Sequence, residues 1–68
     1  MVEMHPVRSE AISAIGHDAK TGEVHVTFRS GGIHKFGPFG AEDFQRFKQA
    51  DSIGRHFHHF IRPKAIKK

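Results

Sequence analysis

The chain contains no cysteine, which excludes a disulfide framework and every zinc pattern built on cysteine. No apolar run approaches the ~18 residues that a membrane span needs. Met1 to Pro6 carries Glu3 and lacks the apolar stretch of a secretory leader. These absences lead to the expectation of a cytoplasmic protein with no membrane partner. Acidic side chains are missing too, but only locally, since none follows Asp51.

With 68 residues the chain is read as one domain. Its core must be thin, because about 60 residues bury only about 60% of the surface that the unfolded chain exposes. Charge is distributed unevenly. Residues 1–51 hold six basic and seven acidic side chains, a balance of −1, whereas residues 52–68 hold five basic side chains and no acid, +5. Seven histidines add a conditional positive charge that develops in mild acid. The tight cluster among them is His56, His58 and His59.

Proline and glycine punctuate short elements, and no repeat or low-complexity block interrupts them. Residues 11–17 predict a first strand, and Asp18 to Gly22 a polar turn. Glu23 to Phe28 alternates cleanly, placing Val24, Val26 and Phe28 on one face. Arg29-Ser30-Gly31-Gly32 reads as a hairpin turn, since glycine takes positive φ without strain. Ile33 to Phe36 follows as the third strand. Pro38 cannot donate a ladder bond, and Gly40 can open a helix. Glu42 and Asp43 suit that helix's first turn, where its dipole favours negative charge, and Phe44, Phe47 and Ala50 mark its buried side.

A second helix is expected from a cap at Asp51 or Ser52 to Pro63, turning Ile53, Phe57, Phe60 and Ile61 inward. Burying each phenylalanine contributes roughly 1.5–3 kcal/mol, so most of the chain's seven are assigned to the core. The expectation is an α+β domain: a three-stranded antiparallel meander followed by two short helices packed on one sheet face. Residues 1–6 are assigned to a flexible N-terminus, 7–63 to the domain and 64–68 to a basic tail.

Several of these segments together resemble the KTSC domain, a short module named for the C-terminus of some lysyl-tRNA synthetases and also found as a stand-alone bacterial or phage protein. The resemblance rests on Ala14-Ile15-Gly16-His17-Asp18, Val24-His25-Val26-Thr27-Phe28 and Gly32-Ile33-His34-Lys35-Phe36. Its most specific part is Ala50-Asp51-Ser52-Ile53-Gly54-Arg55-His56-Phe57, followed by Ile61-Arg62. It implies the meander and helix pair, and its synthetase context suggests RNA. The chain departs from the family pattern consistently: His17, His34, Phe36 and His56 stand where the family tends to carry tyrosine, and the chain has no tyrosine. A histidine keeps a ring and a hydrogen-bonding tip, so the fold is expected to tolerate the exchange.

The C-terminal segment reads as a cationic surface. With the apolar stripe inward, Arg55, His56, His59 and Arg62 share the outer side of the helix, and Lys64, Lys67 and Lys68 continue the charge beyond it. Lysine and arginine along a phosphate track supply sequence-independent affinity through counterion release. These seven residues are the candidate nucleic-acid contacts, with RNA favoured over DNA. The bland alternatives are that the lysines form a solvated chain end and that Arg62 closes the helix by bonding its free carbonyls.

His56 and His59, one turn apart, do not by themselves make a metal site, which needs three or four ligands at fixed geometry. No cofactor is expected. Enzymatic activity is not expected either, since so small a domain has little room for a deep pocket and carries no catalytic motif. The rival reading is a protein-interaction module, a small regulator or inhibitor of a nucleic-acid-processing complex, using the second sheet face with Ser13, His25, Thr27, Ile33 and Lys35.

Overall fold

Alternation in Glu23 to Phe28 drives the centre of the sheet. Val24 and Val26 are fully buried on one face, while Glu23, His25 and Thr27 take the other. The computed structural model describes residues 2–65. Within them lie four strands, β1 (Met4–Pro6), β2 (Ile12–Asp18), β3 (Glu23–Phe28) and β4 (Ile33–Phe36). Two helices follow, α1 (Ala41–Lys48) and α2 (Ile53–His56), and then a π-helical turn (Phe57–Ile61) and a 3₁₀ turn (Arg62–Lys64). The sheet is an antiparallel meander in the order β1-β2-β3-β4.

The sheet therefore has four strands and not the expected three. Residues 4–6, assigned above to a flexible end, pair with β2, Met4 opposite Gly16 and Pro6 opposite Ala14. The physical reason is Gly16. A Cβ there would come within 2.8 Å of the Glu3 carbonyl oxygen, so only glycine lets the N-terminal segment lie this close. Pro6 is tolerated because β1 is an edge strand.

The β2–β3 pairing slips between Ile12 and Ala14, leaving Ser13 as the bulged residue with its hydroxyl donating to the Thr27 carbonyl at 3.2 Å. The bulge lets both Ile12 and Ile15 face the core. The β2–β3 turn is held by the Asp18 carboxylate, which accepts from the Lys20 backbone N–H at 2.9 Å and whose pKa is lowered mainly by that bond. In the β3–β4 hairpin Gly31 and Gly32 take φ of 100° and 89°.

Gly40 precedes α1, which buries Phe44 and Phe47. Ser52 caps α2, its Oγ accepting from the Arg55 N–H at 3.3 Å. Both dock on the sheet face bearing Ile15, Val24, Val26 and Phe36, as expected. His17, at a family tyrosine position, stacks on Phe44 at 5.3 Å and donates through Nε2 to the Phe39 carbonyl at 2.8 Å.

The second helix departs from its expected form after one turn. From Phe57 the backbone widens to the i→i+5 pattern, which carries Phe60 off the apolar stripe that Phe57 and Ile61 keep. Ile61 is buried and Phe57 packs edge-on against Phe28 and Phe36, but Phe60 is 63% exposed. Its assignment to the core is thereby corrected.

Contacts with the sheet continue past Pro63. The Lys64 carbonyl accepts from the Gly37 N–H at 2.8 Å, and Ala65 bridges to Phe36, so both residues dock beside β4. Among the described residues, no helix is long and apolar enough to cross a membrane.

Candidate nucleic-acid interface

Of the seven phenylalanines, Phe36, Phe39, Phe44 and Phe47 are buried and Phe28 and Phe57 pack against the core. Phe60 alone stands out, which forgoes up to roughly 1.5–3 kcal/mol of burial. Its ring lies 4.8 Å from that of His56, tilted by 42°, and 6.4 Å from that of His59.

Two open grooves meet at this ring. One is lined by Asp51, Arg55, His56, His59 and Phe60. The other is lined by Phe39, Asp43, Arg46, His56, Phe60 and Lys64. Each cation on the second side has a partner within the protein, though both stay accessible. Arg46 bonds Asp43 at 3.3 Å, and the Lys64 ammonium sits 5.0 Å above the Phe39 ring while its backbone is tied to Gly37.

The expected cationic stripe is thus divided. Arg55, His56 and His59 come together. Lys64 joins His56 from the other side of Phe60. Arg62 leaves the group: its Nη1 donates to His58 Nδ1 at 3.1 Å and not to the helix-end carbonyls. His56 is partly inward, stacked on Phe47 at 5.4 Å, and the resulting desolvation lowers its pKa from the ordinary 6.5. Lys67 and Lys68 lie outside the described residues.

Arg46 and the exposed Phe60 were missed by sequence reasoning. Arg46 reaches the face because α1 and the 3₁₀ turn contribute to one groove, and Phe60 because the turn widens. Neither leaves a local signal. The second sheet face is less open than expected, since His25 and Thr27 are half-buried and Val2 and Met4 fold over Gly16. Ile33, at 62% exposure, remains outside on β4. Among the described residues, no three histidine or acidic side chains converge as a metal site.

A four-stranded antiparallel meander with a helix pair on one face and a cationic, aromatic edge defines a small α+β module. The chain belongs to the KTSC domain family, whose sequence model matches residues 8–64. It is similar to an uncharacterized protein of Stutzerimonas stutzeri, 30% identical over 57 residues, covering 84% of this chain and 80% of that one. Its fold is similar to that of a KTSC domain protein from Yersinia pestis known from a crystal structure. That likeness has a TM-score of 0.88 at 29% identity and covers 97% of this chain and 93% of the other.

Proposed function

We propose that the protein is a non-enzymatic cytoplasmic module that binds nucleic acid, RNA in preference to DNA, through the face around Phe60. The observation that carries this reading is an exposed aromatic ring with Arg55 and His59 on one side and Arg46 and Lys64 on the other. Cations along a phosphate path together with an aromatic surface are what a nucleic acid engages. The preference for RNA rests on the synthetase context for which the family is named.

Gel shift with single- and double-stranded RNA and DNA at about 50 mM salt, where phosphate contacts are strongest, tests the reading. Binding should weaken when Arg46→Ala and Arg55→Ala are combined. No binding to any of the four, or binding indifferent to that double variant, would end it.

Ile33 favours a second reading, a protein-interaction module acting on a nucleic-acid-processing complex. Capture of a host partner that survives nuclease treatment and is lost with Ile33→Asp would favour it over the first.

A further inference from the structure

We infer that the Phe60 ring is a stacking platform for an unpaired nucleobase, so that the ligand of this face is a single strand and not a duplex. This rests on the nucleic-acid reading above and adds the class of ligand. Phe60 is exposed where every other phenylalanine is buried or packed against the core, and it stands on the ridge between the two grooves. The rings of His56 and His59 flank it. A base laid on the ridge sends the phosphate on one side towards Arg55 and His59 and the phosphate on the other towards Arg46 and Lys64.

The acids favour the same ligand. Asp43 and Asp51 each line one groove, so the cations are interrupted and do not form the continuous track that a duplex backbone follows. Bases inside a duplex have no free face to offer, whereas those of a single strand stack on any accessible aromatic ring.

The chain has neither tryptophan nor tyrosine, so Phe60→Trp supplies a single emitter at the ridge. The probes are oligouridylate and oligoadenylate of about eight nucleotides, within the usual span of single-strand sites, and a blunt-ended two-strand RNA duplex without unpaired bases. Single strands should quench the Phe60→Trp emission and the duplex should leave it unchanged. Phe60→Ala should bind single strands about 5- to 150-fold more weakly, the usual effect of removing a stacking ring. Phe60→Leu, which keeps the apolar bulk, should show the same loss, and circular dichroism should report a native fold for both.

Single-strand binding unchanged in both variants, or duplex bound as tightly as single strand, would overturn the platform and leave the nucleic-acid reading standing. No binding of any probe by the wild-type chain would overturn both.

Discussion

Replacing Gly16 with alanine tests why the sheet has a fourth strand. A Cβ at this position would lie 2.6 Å from Met4 Sδ, 2.7 Å from Val2 Cγ1 and 2.8 Å from the Glu3 carbonyl oxygen. The methionine end can swing aside, but the Glu3 carbonyl is backbone and moves only with the whole segment. Forcing an extra methyl into such a contact costs about 1–3 kcal/mol. A domain of this size holds roughly 3–10 kcal/mol of stability in total. Each kcal/mol moves its Tm by about 4–8 °C, so the loss is readable in a thermal melt. Alanine also carries an intrinsic advantage over glycine inside a strand of about 0.5–1 kcal/mol. In a chain lacking residues 2–6 only that advantage remains, so Gly16→Ala should destabilise the full chain and mildly stabilise the truncated one. Amide exchange gives a local check, because the Val7 N–H donates to the Ser13 carbonyl at 3.1 Å and should be less protected in the variant. Equal cost in both backgrounds would refute the assignment of Gly16 to β1 docking.

Phe57→Ala should lose about 3 kcal/mol while Phe60→Ala stays within about 0.5 kcal/mol of wild type in urea melts, and equal losses would refute the widened turn. The pKa of His56 is lowered in the folded protein, so its neutral ring stabilises fully above pH 6.5 and this contribution is lost as pH falls through the lowered value. His56→Phe, which keeps a ring on Phe47, should therefore flatten the fall in Tm between about pH 7 and 5; an unchanged acid slope would refute this. For a single strand, log K against log salt should have a slope near −2 from three cations, and Arg55→Ala should reduce it by about 0.7.

Where a local rule suffices, the sequence is a good guide to this fold. The alternation in Glu23 to Phe28, the glycine pair at 31–32 and the Ser52 cap each act within a few residues and appear where expected. β1 escapes because it is only three residues long, ends in Pro6 and has no alternation of its own. Its reason for pairing lies twelve residues beyond Met4, in the missing side chain of its partner Gly16. Phe60 escapes because a helical projection assumes the period that the backbone abandons at Phe57. The candidate face inherits that error: the sequence groups Arg55, His56 and His59 but counts as core the ring that stands between them and Lys64.

Charge segregation along the chain also overstates the charge of the surface it builds. The +5 of residues 52–68 draws on Arg62, which turns to His58, and on Lys67 and Lys68, which lie beyond the described residues. At the Phe60 face, Arg46, Arg55 and Lys64 stand against Asp43 and Asp51, three cations and two anions, a net +1 with neutral imidazoles. Protonating His56 and His59 raises this to +3, but desolvation of His56 delays its share to lower pH. Among the described residues of this face, three phosphate contacts opposed by two carboxylates would supply modest affinity, whereas one stacked base contributes about 1–3 kcal/mol that salt does not screen. On the proposed reading, then, the aromatic contact outweighs the cations near neutral pH. Binding with a salt slope well beyond −2 would instead assign the affinity to lysines beyond Ala65, and removal of residues 66–68 would abolish the excess.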